Sequence, residues 1–271
     1  MVRNDSFFLE KWVSWYGAML GKENLHIFFD GADQAVPGCT EGCHVEVLPR
    51  SEGNVRQSDR RRIDFLSDFA ATLFGSYDYV IGSDVDEFLV ADPALGMTLP
   101  ELISSLDAGG RNSFSALGCD VTVNAAEEAP LDTAQPILEQ RRFALISTRY
   151  TKASILCRPV NWGSGFHRTR KGNYHIVPGL YLLHFGSADR SFIEQKLQDA
   201  DLGSRGWERH LHKRIRLIDS IPYLTVRSWD KWIPLAVRLQ TFVRRPYLWN
   251  KPAMLNLRIL TELPERFRTL L

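Results

Sequence analysis

Polar and apolar positions along the first ninety residues switch between two periods. From Ser6, the apolar residues Phe8, Leu9, Trp12, Val13, Tyr16 and Leu20 recur at helical spacing, and Gly21 is placed to stop the helix. Met1 to Arg3 reads as the stub of a strand. LHIFFD reads as a strand ending at Asp30, GADQAVPGC as a loop and HVEVLP as a third short strand. Residues 54–75 return to the helical period, with Ile63, Leu66, Phe69, Ala70 and Leu73 on one face and a basic first turn and a half. YDYVIGSD is then a fourth strand, apolar enough to be central. This alternation predicts β-α-β units and an α/β fold with a mostly parallel central sheet flanked by helices.

PALGMTLPELISSLDAGG reads as a loop with a short helix. SFSALGCDVTV, RRFALIS, KASILC, YHIV and LYLLHF have the look of a mixed-sheet second half, and DRSFIEQKLQDADL that of a helix. From Gly203 the pattern is helical but interrupted by Pro222, Pro234, Pro246 and Pro252. The expected division is therefore a unit of residues 1–202 and a helical segment of residues 203–271.

A length of 271 residues with 44% hydrophobic residues allows a large buried core and argues against disorder. The net charge of +1 conceals an asymmetry: residues 205–271 hold 14 Lys and Arg against five acids, about +9, so the remainder carries about −8. The cationic segment interleaves aromatics, arginines and aliphatics, which suits a helical cover on the core or peripheral contact with an anionic membrane. No motif accompanies the charge that would favour nucleic acid. Four cysteines in a chain this long do not form a disulfide framework, and the first residues lack the features of a signal peptide, so a cytoplasmic location is expected. CTEGCH places three possible zinc donors in six residues, yet without a distant partner it reads as loop.

YDYVIGSDVDEFLV concentrates chemistry: Asp84, Asp86 and Glu87 directly follow an apolar run. On an ideal strand, residues two apart share a face, with Cα atoms roughly 6.6 to 6.8 Å apart. Asp84 and Asp86 are therefore expected to aim together, Asp86 as a direct metal ligand and Asp84 toward a sugar hydroxyl or a metal-bound water. Hard oxygen donors beside a phosphate suit Mg2+ or Mn2+. A bare D-x-D is also what a solvated loop or a helix cap looks like; the flanking apolar runs sharpen the signal.

Those flanks make the chain resemble the GT-A-fold glycosyltransferases, especially the family 2-like and family 92-like groups, whose strand-terminal D-x-D-E-F holds a metal and a nucleotide-sugar diphosphate. MVRNDSFFLEKWVSWYGAMLG resembles the opening R-N-E…E-W…G block of these enzymes, although Asp5 stands where Glu is usual and only Met1 and Val2 precede Arg3. FFDGADQ is similar to their nucleotide-recognition turn. Two later stretches, ILEQRRF…TKASILCRPVNWGSGFHR and LLHFGSADRSFIEQK, resemble further blocks, so residues 1 to about 200 are covered. The resemblance implies a GT-A-type fold, a nucleotide-sugar donor, UDP-linked by preference, and a glycan or lipid-linked acceptor. It also implies inversion at the anomeric carbon, a divalent metal and work in surface polysaccharide assembly, at the inner face of the membrane if the acceptor is membrane-borne.

By the same resemblance Arg3, Asn4, Asp30 and Asp33 lie near base and ribose, and His184 is a third metal ligand, though a histidine ending an apolar strand is also a common core residue. His167, in a glycine-bearing loop, is a candidate for the diphosphate or acceptor, or a loop cap. Lys152, Arg56, Arg158 and Arg168 are candidates to neutralise the leaving diphosphate. Transfer also needs a base for the acceptor hydroxyl; Asp120 is the first choice, with Glu87 and Asp189 as alternatives and a structural cap equally open for each. Two other readings stand beside this one. One is a non-catalytic sugar-nucleotide or membrane-surface binding protein of the same fold. The other is a Mg2+-dependent phosphatase, which fits less well because Glu87 and Phe88 follow Asp86.

Overall fold

The computed structural model describes residues 1–204, 206–245, 248–253 and 257–271, with the backbone alone for 200, 201, 244, 245, 248 and 249. The elements are helices α1 (Ser6–Leu20), α2 (Val55–Leu73), α3 (Leu99–Ser104), α4 (Ile137–Gln140), α5 (Arg190–Gln198), α6 (Ala200–Ser204), α7 (Glu208–Ser220) and α8 (Trp229–Phe242). Strands are β1 (His26–Asp30), β2 (His44–Leu48), β3 (Val80–Ile81), β4 (Glu87–Ala91), β5 (Ser113–Thr122) and β6 (Phe143–Ile146). They continue with β7 (Ile155–Leu156), β8 (Ile176–Ser187), β9 (Val226–Arg227), β10 (Arg244–Arg245), β11 (Leu248–Pro252) and β12 (Ile259–Glu262).

Helix α1 runs as the apolar spacing predicts and ends at Gly21, whose φ of 84° is costly for any residue with a Cβ. Helix α2 begins on a capping box in which Asn54 and Gln57 exchange side-chain and backbone hydrogen bonds. Strands β1 and β2 pair in parallel, and the stub at the N-terminus reduces to one bridge, Val2 beside Phe29. A cavity of about 320 Å3 lies between α1, α2, β1 and β3, walled by apolar side chains including Leu9, Ile27, Leu66 and Ile81. None of the acids Asp84, Asp86 and Glu87 lines it.

The protein is a mixed α/β structure, but its sheet corrects the mostly parallel arrangement expected. Strand β8 runs parallel to β5 and antiparallel to β4, while β5 is antiparallel to both β6 and β7. Strand β3 is not central either: it spans two residues and pairs with β7 alone. The core strands are β5 and β8, each buried over most of its length. The C-terminal segment is helical in α7 and α8, with Pro234 tolerated inside α8, but it also contributes sheet. Strand β12 pairs antiparallel with β6, and β9 joins β12. Pro246, expected to interrupt a helix, lies outside the described residues. Among the described residues no helix is long and apolar enough to cross a membrane.

The loop after β6 is pinned by a close approach of two backbones, crossing β5 at Gly118. Ser147 N–H donates to the Gly118 carbonyl (2.9 Å) and Gly118 N–H to Thr151 Oγ1 (3.0 Å). A Cβ at 118 would overlap the backbone of Tyr150 and Thr151. Gly118→Ala is expected to cost about 3 kcal/mol, since neither backbone can yield inside a packed interior; urea denaturation would measure it.

Candidate functional site

Register brings the site together. Glu87 of β4 stands opposite His184 of β8, and His184 stands opposite Asp120 of β5, so three residues far apart in sequence line one face of adjacent strands. Asp86 immediately precedes β4, where its carbonyl accepts from Phe185 N–H (2.9 Å) and its carboxylate lies 3.3 Å from His184 Nε2. Donor atoms of Asp86, Glu87 and His184 all fall within 4.8 Å of one another, and no other group of three such residues does so among the described residues. Cys39 and Cys43 are free, and neither joins such a group with His44.

The D-x-D pair does not aim as a strand would dictate. Glu87 N–H donates to the Asp84 carbonyl (3.1 Å), so the acids sit on a turn between β3 and β4. Asp84 departs from the cluster toward two cations, Arg62 at 2.5 Å and Lys152 at 2.8 Å. Burial alone would raise its pKa, but those cations hold it well below the usual carboxylate range. Asp84, expected to aim with Asp86, pairs with Arg62 and Lys152, and the donor atoms that converge are those of Asp86, Glu87 and His184. For Asp86, burial is again outweighed, here first by the His184 imidazole, and its pKa is lowered.

Glu87 is 1% exposed and receives Lys152 at 2.5 Å on Oε1, while Oε2 is buried with no hydrogen-bond partner. Burial pushes its pKa up to about 7 despite Lys152. Asp120, the first-choice base, is committed elsewhere: it lies 2.7 Å from His184 Nδ1 and is buried. With the Nδ1 proton shared with Asp120, His184 presents Nε2 toward Asp86, and two electron-rich atoms 3.3 Å apart need a proton or a cation between them. The ring is held flat by Tyr150, stacked at 3.8 Å between centroids.

The alternative base, Asp189, is also occupied. It caps α5 through Ser191 N–H (2.9 Å) and pairs with the buried Arg141 at 2.8 Å. Among the nucleotide candidates, Arg3 clamps Asp33 with both guanidinium nitrogens at 2.7 Å, and Arg3 also donates to the Asp30 carbonyl (2.9 Å). Asn4, at φ 47°, donates its N–H to Gln34 Oε1. The Asp30 carboxylate is paired with Arg50 and accepts from Ser51 N–H (2.7 Å). These four therefore gather at the end of β1, with both acids already engaged. Arg56 is exposed on α2 and has no ion pair among the described residues; Arg62, further along the same helix, is the arginine that reaches the acids. Arg158 and Arg168 likewise form no ion pair among the described residues.

His167 is half-buried beside Phe166, whose ring is covered by Arg62 and Lys152 at 5.5 and 5.9 Å. Burial, with Lys152 adding to it, pushes its pKa from 6.5 down to about 3. Below pH 6.5 the unfolded chain takes up a proton that the folded chain refuses, so stability falls as pH drops toward 3. With partial solvent exposure, the loss between pH 6.5 and 4.5 is expected to be about 1 to 2 kcal/mol. His167→Asn should show a correspondingly smaller loss, read from melting curves at the two pH values.

Arg62, Tyr150 and Arg214 escape sequence reasoning. Arg62 sits in a run of three arginines with nothing to distinguish it, and the other two reach His184 only through the fold. The arrangement defines a class: a mixed-sheet α/β protein with a buried carboxylate–histidine cluster ringed by cations. No family model matches the chain, and no curated protein matches it.

Proposed function

We propose that the protein is a metal-dependent glycosyltransferase of GT-A type, moving a sugar from a nucleotide donor to a glycan or lipid-linked acceptor. The observation that carries this reading is the convergence of Asp86, Glu87 and His184 within 4.8 Å, with His184 Nδ1 held by Asp120. Two carboxylates and an imidazole suit Mn2+ or Mg2+, and the unpartnered Glu87 Oε2 is an atom such an ion would satisfy. A carboxylate behind the histidine fixes the ring and its tautomer, as metal-binding histidines require.

When bound, the ion supplies charge stabilisation for the departing nucleoside diphosphate. The chain does the rest. Asp120 and Tyr150 orient His184; Lys152 and Arg62 hold positive charge beside the cluster; Arg3, Asn4, Asp30 and Asp33 form a polar turn suited to a base and ribose. Displacement in line with the leaving diphosphate inverts the anomeric centre.

One observation favours the second reading, a non-catalytic nucleotide-sugar binder. Asp120 and Asp189 each already hold a partner, and Glu87 has one oxygen on Lys152 and the other placed for the ion, so no candidate base is left for an acceptor. A thermal-shift panel of UDP, GDP, CDP and dTDP, each with and without Mn2+, tests the donor site common to both readings. The expected result is a metal-dependent rise with one diphosphate, UDP first. Absence of any rise removes both readings. Transfer or hydrolysis of the matching nucleotide sugar then separates an enzyme from a binder.

A further inference from the structure

Resting on the transfer reading, we infer that the acceptor carries a phosphate or diphosphate, and that a second cavity on the far side of His184 receives it. This cavity, of about 400 Å3, lies between residues 147–150, α7, α8 and residues 257–259. Arg149, Lys213, Arg214, Arg216 and Arg258 line it together with His210. Several arginines elsewhere are paired with acids, including Arg62, Arg141, Arg142, Arg190 and Arg266. Arg149, Lys213 and Arg216 form no ion pair among the described residues, Arg214 has the buried Asp86 and Asp120 near enough to favour its charge, and Arg258 donates to Ser220 Oγ (3.1 Å). The one acid in the wall, Asp120, is already given to His184.

Such convergence is unfavourable without an anion. Lys213 and Arg216 fall at i and i+3 on α7, where like charges repel. The cavity's field is visible on His210, whose pKa is pushed down to about 4 by burial and then by Arg214 and Arg149. Arg214 links the cavity to the cluster: it donates to Tyr150 OH (3.1 Å) and lies 3.3 Å from His184 Nε2, and its Nε is buried without a partner. Leu145, Ile146, Leu217, Leu239 and Leu257 also line it, so the organic body of a phosphate ester has an apolar surface to lie on.

The donor's place is distinct. The Arg62–Asp84 pair from α2 and the turn at the end of β1 lie outside the lining of this cavity, whereas Arg214 approaches His184 from α7. A phosphate in this cavity would hold an acceptor next to the cluster, with Arg214 linking it to Tyr150 and His184.

The test is direct binding of inorganic pyrophosphate to the full chain in EDTA at low salt, by titration calorimetry. We expect saturable binding, weakened about tenfold or more by Lys213→Ala/Arg216→Ala and by Arg149→Ala, each removing charge-assisted hydrogen bonds. Arg60→Ala, on α2, which lines no part of the cavity, should not weaken it. Lys213, Arg216 and Arg149 are exposed, and matching urea midpoints would establish that the variants fold. Farnesyl diphosphate binding more tightly than pyrophosphate would identify a lipid-borne phosphate as the source; equal binding would identify a free or sugar-borne one, and both support the cavity. Binding that requires Mn2+, or that the double variant retains in full, overturns the inference. Because EDTA removes any dependence on the metal, pyrophosphate binding without a nucleotide response would sink the donor reading alone, and the converse would sink this one alone.

Discussion

Asp86→Asn is expected to abolish the Mn2+-dependent response to nucleoside diphosphate and to lower any glycosyl transfer about a thousandfold. Asp86 provides one of two carboxylates in the cluster, and the amide that replaces it has no charge. At an effective dielectric of about 20, one unit-charge pair at about 4 Å is worth roughly 4 kcal/mol. Lost only from the transition state, that energy approaches three powers of ten in rate. The fold should survive, because His184 keeps its bond to Asp120 and its stack on Tyr150. Thermal shifts with and without Mn2+, alongside a urea midpoint, separate the two effects. A full metal-dependent shift in this variant would remove Asp86 from the ligand set.

Removing the lysine that bridges two buried acids should have the largest effect on stability. Lys152→Met is expected to cost about 3 to 5 kcal/mol, because it strands Glu87 without its cation and leaves Asp84 with Arg62 alone. The cost arises because Glu87 must either keep a buried charge without its cation or take up a proton, and because Asp84 loses one of its two cations, rather than from the lost contact. Adding Glu87→Gln should therefore recover most of it, since a buried amide needs no counter-ion. Denaturant titrations of the two single variants and the double complete the cycle and isolate the coupling. A loss under about 1 kcal/mol, or a double variant no better than Lys152→Met, would mean that water rather than Lys152 compensates Glu87.

Both results turn on residues that are visible in the sequence but whose partners are not. The D-x-D-E-F stretch stands out because three acids interrupt an apolar run, and His184 because it ends one. Lys152 and Asp120 are legible as well, one as a neutralising cation and the other as a base. Their partners are not legible: Asp120 contacts His184, Glu87 converges with Asp86 and His184, and Asp84 pairs with Arg62 and Lys152. The displacement of Asp84 has a simple source. Strand alternation would have to continue through Asp84 and Asp86 to aim them together, but β3 ends at Ile81 and a turn redirects the two side chains.

Elements α1, β1, β2 and α2 were determined by the chain itself, because each is defined by local periodicity and local stops: an apolar stripe, Gly21, and the Asn54 cap. Strand direction, the short β3, the return of β12 to the sheet and the alignment of Glu87, His184 and Asp120 were decided only by tertiary structure. Pairing between strands tens of residues apart depends on which surfaces bury together, and no local window of sequence contains that information. The same holds for the basic cavity, where the 205–271 charge excess is countable from residue types alone but its convergence on Arg149 and His184 required the packing of α7 against the loop after β6.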